Sequence, residues 1–146
     1  RRFQIVGVRS GITVIDDYAH HPTEIRVTLR AAREQNTKKK IWCIFQPHQY
    51  SRTRHLLKEF AMSFQNANKV ILADIFAARD NDYEKTAMNA MKLYEETRNA
   101  GVDIQYIPQL CDIVNVLSSN VKPGDIVLTM GAGDVWNVAY DLVSRF

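Results

Sequence analysis

Short apolar runs alternate with helix-length segments along most of the chain. The runs FQIVGV and ITVID flank the tripeptide RSG, and this spacing predicts an opening β-hairpin with Gly11 in its turn. The run IWCIF at 41–45 contains no polar residue, which is typical of a strand buried on both faces. Further strands are predicted at 69–74, 103–107 and 125–130.

The segments between these runs carry apolar residues at helical spacing. Pro22 is expected to begin the first helix, which buries Ile25 and Leu29. Three more helices are predicted from about Ser51 through Phe64, over 83–99 and over 110–117. The last helix is predicted to bury one side, formed by Val135, Val138, Ala139, Leu142 and Val143.

Strands that are separated by single helices favour right-handed crossovers and a mostly parallel sheet with helices on both faces. The sequence therefore predicts a doubly wound, Rossmann-like α/β fold that opens with a β-hairpin. Its 146 residues match the size of one domain. Because the chain begins at Arg1 without a methionine, we expect residues 1–146 to be one domain of a longer protein.

Composition and charge narrow the functional classes. Apolar residues make up 46% of the chain and charged residues 24%, as in ordinary globular domains. No apolar run approaches the ~18 residues of a membrane span, and the formal charge of +3 is too small to indicate nucleic acid. Cys43 and Cys111 lack CxxC spacing and are expected to be buried free thiols. These features predict a cytoplasmic protein with a small-molecule ligand.

Polar residues follow directly after four of the predicted strands. The exits read DDYAHH after ITVI, QPHQYSR after IWCIF, Asp74 after KVILA, and GAGD after DIVLTM. Ligands of open α/β sheets bind outside the carboxyl ends of the strands. These segments should therefore meet at one edge of the sheet and form a small-molecule site.

The segment after ITVI also has structural explanations. Asp17 could cap the turn before Pro22. His20 and His21 are too close in sequence to face one ligand together, so they are not expected to form a metal site. One of the two histidines could bond the turn while the other faces the edge of the sheet.

The other exits have similar alternatives. Ser51 is expected to be the N-cap of its helix, where Arg52 and Arg54 would add charge suited to a carboxylate or phosphate. A solvated basic turn is the alternative interpretation. In GAGD, glycine lets a ligand approach the backbone closely, and Asp134 is a possible cap of the last helix.

The segments DDYAHHPTEI, FQPHQYSRT and GAGDV together resemble the C-terminal domain of the Mur ligases, and RRFQ resembles that family's junction with its central domain. The resemblance implies an ATP-dependent, ADP-forming ligase that joins L-alanine to UDP-N-acetylmuramate through an acyl phosphate in peptidoglycan biosynthesis. A related ligase that recycles murein tripeptide shares much of this pattern. A nucleotide-binding module without catalysis is the alternative from a different class.

The resemblance also implies roles for individual residues. Arg2 is similar to a residue that reaches the ATP phosphates, and Asp17 is similar to one that bonds the ATP ribose. His20 and Arg52 are the expected catalytic residues, and Arg52 would face the substrate carboxylate or the tetrahedral intermediate. The expected substrate-binding residues are Tyr18, His20, His48, Gln49, Arg52, Gly131, Gly133 and Asp134.

The implied partners are ATP, L-alanine, UDP-N-acetylmuramate and the chain's own upstream domains, with no nucleic acid and no membrane. Mg²⁺ would accompany ATP and would be bound mainly by the central domain, so no metal ligand is assigned to this chain. Gln49 stands where the family usually has arginine, which shifts the expected charge toward Arg52. The segment ARDNDYEKTAMNAM departs from the family pattern and carries no predicted site.

Overall fold

The computed structural model describes every residue from Arg1 to Phe146. A six-stranded sheet has the order β1-β2-β6-β3-β4-β5, and only β1 and β2 are antiparallel. The strands are β1 Gln4–Arg9, β2 Ile12–Asp17, β3 Ile41–Phe45, β4 Lys69–Leu72, β5 Ile104–Tyr106 and β6 Ile126–Met130. The predicted fold class, a mostly parallel α/β sheet opened by a hairpin, is confirmed.

The predicted hairpin is present with Gly11 in its turn, but two residues rather than three connect its strands. Arg9 pairs with Ile12 across the turn, and both Ser10 (φ 53°) and Gly11 (φ 77°) have positive φ. Two successive residues with positive φ give a turn whose twist matches the right-handed twist of the paired strands. The hairpin forms one edge of the sheet, and β2 continues it by parallel pairing with β6.

Seven helices accompany the strands. They are α1 Pro22–Gln35, α2 Tyr50–His55, α3 Leu57–Ala61, α4 Asp82–Ala87, α5 Ala90–Asn99, α6 Leu110–Asn120 and α7 Trp136–Arg145. Pro22 begins α1 as predicted, and Ile25 and Leu29 are fully buried. None of the helices is long and apolar enough to cross a membrane.

Two predicted helices are each divided into two in the structure. The helix predicted from Ser51 through Phe64 is interrupted at Leu56, where φ is −112°. The helix predicted over 83–99 is interrupted at Met88, which is extended and buried. Asn89 then accepts a hydrogen bond from the Lys92 N–H and caps α5. Asn89 favours a new helix start because its side chain satisfies an N–H that lacks a helical partner.

Apolar side chains fill both faces of the sheet. Along β3, Cys43 and Phe45 belong to one core cluster, whereas Trp42 and Ile44 belong to the cluster on the opposite face. All five residues of β3 are buried, which explains its unbroken apolar run. Cys43 is buried as expected, but Cys111 is exposed, so the expectation for that thiol was wrong.

The carboxyl ends of four neighbouring strands lie at the same level of the sheet. Met130 is in register with Asp17 on one side and with Phe45 on the other, and Phe45 is in register with Leu72. The loops that leave β2, β3, β4 and β6 therefore start next to one another. This confirms the predicted convergence of the polar segments at one edge.

Candidate functional site

A cavity of about 400 Å³ lies at this edge, and we call it the carboxyl-edge cavity. Residues from all four loops line it, namely Tyr18, His20, His48, Gln49, Arg52, Ala78, Arg79 and Ala132. Its volume is within the range of small-molecule sites. Five of the predicted substrate-binding residues line it, and so do two residues of the segment after β4 that carried no predicted site.

Arg52 is the half-buried cation of this cavity. Its Nη1 atom is buried and has no hydrogen-bond partner, and the guanidinium pairs with no carboxylate. A buried charged donor without a partner is costly, and an anionic ligand would supply the missing acceptor. The geometry therefore leaves Arg52 available for a carboxylate or phosphate.

Aromatic rings form a row along the cavity. The ring of His20 lies edge-on to Tyr18 and to His48, with centroid distances of 5.1 Å and 6.3 Å, and His48 stacks on Phe76 at 5.6 Å. Nδ1 of His20 lies 3.0 Å from the Tyr18 carbonyl oxygen. Because a carbonyl only accepts, Nδ1 carries the hydrogen, and Nε2 of neutral His20 keeps a lone pair that can take a proton.

The two adjacent histidines have separate roles, as predicted. His21 is the N-cap of α1, and its Nδ1 accepts a hydrogen bond from the Thr23 N–H. Glu24 reaches back to the His21 N–H and completes a capping box. Partial burial alone would raise the pKa of Glu24, but the N–H donors of His20 and His21 outweigh burial and lower it. His21 therefore fixes the turn that carries His20 into the cavity.

The start of α2 is occupied by a carboxylate of the protein itself. Asp80 accepts hydrogen bonds from the Tyr50 and Ser51 N–H groups at 3.0 Å and 3.1 Å. Ser51 lies inside α2, so the prediction that it is the N-cap was wrong. Partial burial alone would raise the pKa of Asp80, but its backbone N–H donors outweigh burial and lower it. Asp80 therefore occupies the helix start at which a ligand carboxylate or phosphate was expected.

Gln49 immediately precedes α2 and has an unusual backbone conformation, with φ 73° and ψ 132°. Its Nε2 donates to the Ala78 carbonyl oxygen at 2.9 Å, and its N–H donates to the Phe76 carbonyl oxygen. Gln49 lines the cavity, but its amide hydrogen bond holds the loop that follows β4.

The GAGD segment packs behind the cavity wall. A Cβ on Gly131 would lie 2.8 Å from the Gln46 carbonyl oxygen, and one on Gly133 would lie 2.7 Å from Phe76. Of this segment, only Ala132 lines the cavity, so the structure does not bring Gly131, Gly133 or Asp134 into its lining.

The expected cap of the last helix was also wrong. The Asp134 carboxylate accepts a hydrogen bond from Gln46 Nε2 at 2.7 Å. Gln46 Oε1 accepts the N–H of Val135, which precedes α7, so the buried Gln46 amide fixes the start of this helix. Asp74, the polar residue after β4, accepts a hydrogen bond from the Tyr106 hydroxyl and does not line the cavity.

Arg2 and Asp17, the predicted ATP-binding residues, line a different cavity of about 270 Å³ next to α1. Arg2 is exposed and pairs with no carboxylate. The oxygens of Asp17 accept the N–H groups of Phe3 and Ala19, both at 2.8 Å, so this carboxylate fixes a turn. The neighbouring Arg1, which had no predicted contact, bonds the buried Asp16 at 2.8 Å.

His48 gives a test of the cavity geometry. Its pKa is lowered chiefly by burial and then by the positive charge of Arg52. We expect Arg52→Gln to raise the pKa of His48 toward its ordinary value, because one nearby positive charge is removed. NMR titration of the histidine ring protons measures this pKa. Arg54→Gln is the matched control, because Arg54 is bound to Glu84 and should leave His48 unchanged.

The lowered pKa of His48 also makes the free energy of unfolding depend on pH. His48 becomes protonated at a lower pH in the folded protein than in the unfolded chain. Between these two pKa values, the unfolded chain therefore binds more protons than the folded protein. This contribution to the free energy of unfolding should therefore be constant above about pH 6.5 and decrease as the pH falls toward the folded pKa. A His48 pKa above its ordinary value, or one unaffected by Arg52→Gln, would contradict the geometry.

A mostly parallel sheet with a cationic cavity at the carboxyl ends of its strands defines a ligand-binding domain of the doubly wound class. A model of the family described as "Mur ligase, glutamate ligase domain" matches residues 1–133. Because this match covers most of the sequence, the chain belongs to that family. The resemblance that the motifs indicated is confirmed.

Comparison with similar proteins indicates the same family. The UDP-N-acetylmuramate–L-alanine ligase of Desulforamulus reducens is 48% identical over 149 residues, which cover 99% of this chain and 31% of that protein. The solved structure of UDP-N-acetylmuramate-alanine ligase from Thermotoga maritima is 30% identical in sequence and has a TM-score of 0.77. The match covers 99% of this chain and 29% of the Thermotoga chain.

A murein peptide ligase from Psychrobacter arcticus has a TM-score of 0.80 over 99% of this chain and 29% of its own, but at 21% identity it shares the fold alone. The present chain spans less than a third of the length of each of these relatives.

Proposed function

We propose that residues 1–146 form the C-terminal domain of a longer, three-domain bacterial ligase. This ligase joins L-alanine to UDP-N-acetylmuramate with the conversion of ATP to ADP, in the cytoplasm. The single observation that supports this most strongly is Arg52, with its buried, unpartnered Nη1, in a cavity that holds Tyr18, His20 and His48. The alanine-adding relative at 48% identity favours alanine over a tripeptide as the incoming amine.

The proposed chemistry requires an amine and an activated carboxyl group to be held together. ATP would supply the phosphoryl group that activates the muramic acid carboxylate. Mg²⁺, held mainly by residues of the central domain, would neutralise phosphate charge. The amine of alanine then attacks the acyl phosphate, and phosphate leaves. Arg52 would hold the negative charge of the alanine carboxylate or of the tetrahedral intermediate.

His20 is suited to take the proton that the alanine ammonium must lose before it can attack. The Tyr18 carbonyl fixes the hydrogen on Nδ1, so Nε2 is the basic atom. The lowered pKa of His48 keeps that neighbouring ring neutral, which avoids a further positive charge beside His20 and Arg52. His20 would thus act as the general base and Arg52 as the electrostatic stabiliser.

The residues assigned to ATP fit that role in part. Arg2 has no carboxylate partner and is therefore free to meet phosphate. Asp17 accepts two backbone N–H groups, but each carboxylate oxygen has a second lone pair that can accept a ribose hydroxyl. Both residues line the cavity beside α1.

The test is ADP release by the full-length protein in the presence of ATP, Mg²⁺ and UDP-N-acetylmuramate. We expect turnover to depend on L-alanine and to be much slower with the murein tripeptide at the same concentration. The isolated 146-residue chain is the matched control and should release no ADP, because it contains no GxxxxGK[ST] phosphate loop. Preference for the tripeptide, or no dependence on any added amine, would contradict the proposal.

A further inference from the structure

We infer that Arg79 is a second anion-binding residue of the carboxyl-edge cavity and that it recognises the carboxylate of the incoming amino acid. Arg79 lies in the segment after β4 and lines this cavity together with Arg52. The inference rests on the proposed function, which supplies the amino acid, and its structural basis is the segment after β4 with its bonds to the start of α2.

Hydrogen bonds fasten the backbone on both sides of Arg79 to the start of α2. The Ala78 carbonyl accepts from Gln49 Nε2 at 2.9 Å, and the Ala78 N–H donates to the Asp80 carboxylate at 3.2 Å. The same carboxylate accepts the Tyr50 and Ser51 N–H groups. Because α2 also carries Arg52, these bonds fix the backbone segments that carry the two arginines relative to each other.

Arg79 itself has a left-handed backbone conformation, with φ 58°. Such a conformation is unfavourable for a residue with a Cβ and persists where surrounding contacts impose it. The Asp80 and Gln49 bonds are those contacts. A strained residue that is held in place beside a cavity points to a function in ligand binding.

The charges that line the cavity favour an anion. Arg52 and Arg79 are both there, the lining contains no Asp or Glu, and neither arginine forms an ion pair with a carboxylate. Asp80 is the nearest carboxylate in sequence, but it already accepts three backbone N–H groups. Two arginines without an ion-pair partner therefore line the same cavity.

The different exposure of the two arginines indicates which part of the substrate each meets. Arg52 is half-buried, whereas Arg79 is exposed at the mouth of the cavity. Reacting groups are held where water is excluded, so the chemistry belongs beside Arg52. Arg79 is therefore placed for the charged group that does not react, which in an amino acid is its carboxylate.

The test compares L-alanine with L-alaninamide, which has the same amine but no carboxylate, in ADP release by the full-length protein. We expect Arg79→Gln to lower kcat/KM for alanine about tenfold, as for one lost charge-assisted hydrogen bond, through a higher KM. Turnover of alaninamide by Arg79→Gln should stay within about twofold of the wild-type value, because alaninamide offers no carboxylate. Arg26→Gln, at an exposed site on α1, is the control for net charge.

The outcomes separate this inference from the proposed function. If the wild-type protein shows no alanine-dependent ADP release, the proposed function fails and the inference fails with it. If the wild type is active but Arg79→Gln lowers kcat/KM equally for alanine and alaninamide, or lowers it for neither, the inference alone is overturned. A changed KM for ATP with an unchanged KM for alanine would show that Arg79 meets phosphate, which also overturns it.

Discussion

Replacing Arg52 by alanine in the full-length protein is expected to lower kcat/KM for L-alanine by roughly 10- to 100-fold. A hydrogen bond from a charged group contributes about 1.5–3 kcal/mol, and each 1.4 kcal/mol corresponds to about a factor of ten. The loss should include kcat, because the negative charge that Arg52 would stabilise grows as the tetrahedral intermediate forms. Steady-state ADP release at varied alanine concentration measures both constants.

Arg54→Ala is the matched control for this experiment. Arg54 lies two residues further along α2 and carries the same charge, but its guanidinium is bound to Glu84 at 2.8 Å and 2.9 Å. We expect Arg54→Ala to leave kcat/KM for alanine within about twofold of the wild type, since it removes no cavity contact. Near-normal activity of Arg52→Ala, or equal losses in both variants, would contradict the role of Arg52.

Gly131→Ala is expected to destabilise the folded chain by about 2–4 kcal/mol, which combines backbone strain with a close contact. Gly131 follows β6 with φ 154°, a conformation that side-chain-bearing residues rarely adopt. A Cβ there would lie 2.8 Å from the backbone oxygen of Gln46, which cannot rotate away. Thermal unfolding of the 146-residue chain should show a Tm lower by roughly 6–15 °C.

Gly7→Ala provides the comparison for Gly131. A Cβ on Gly7 would lie 3.0 Å from a Val143 methyl group, which belongs to a side chain that can shift. The expected loss is about 1 kcal/mol, because only side-chain repacking is required. If Gly131→Ala were as stable as the wild type, or no less stable than Gly7→Ala, the close approach at Gln46 would be refuted.

Local sequence signals were sufficient for the fold and for the position of the site. The hairpin turn at Gly11, the helix start at Pro22 and the unbroken run of β3 each depend on neighbouring residues. Parallel strands then bring their carboxyl ends together, so the polar segments after β2 and β3 had to meet. The segments that carry Tyr18, His20, His48, Gln49 and Arg52 were therefore predictable as neighbours, whereas the choice of these residues came from the resemblance to the family.

The details that the sequence did not predict depend on contacts between distant residues. The cap of α2 is Asp80, 30 residues after Tyr50, and the start of α7 is fixed by Gln46, 89 residues before Val135. Ser51 and Asp134 are good caps by residue type, but the side chains of Asp80 and Gln46 accept the hydrogen bonds at these two helix starts instead. Arg79 was missed because its loop is held at the cavity by contacts between distant residues, among them the bonds of Gln49 and Asp80.

One break in the predicted helices did have a local signal. Asn89 is a residue type that often begins helices, and it separates α4 from α5. The apolar spacing continued through it because Met88 and Leu93 are both buried. Periodicity reports which residues are buried, so it can continue through a short extended segment between two helices.

The most direct test of the carboxyl-edge cavity is a crystal structure of the full-length protein with L-alanine, UDP-N-acetylmuramate and a non-hydrolysable ATP analogue. We predict that alanine occupies this cavity, with an anionic oxygen within hydrogen-bond distance of Arg52 Nη1. Alanine bound at another edge of the sheet, with only water beside Arg52, would contradict the account.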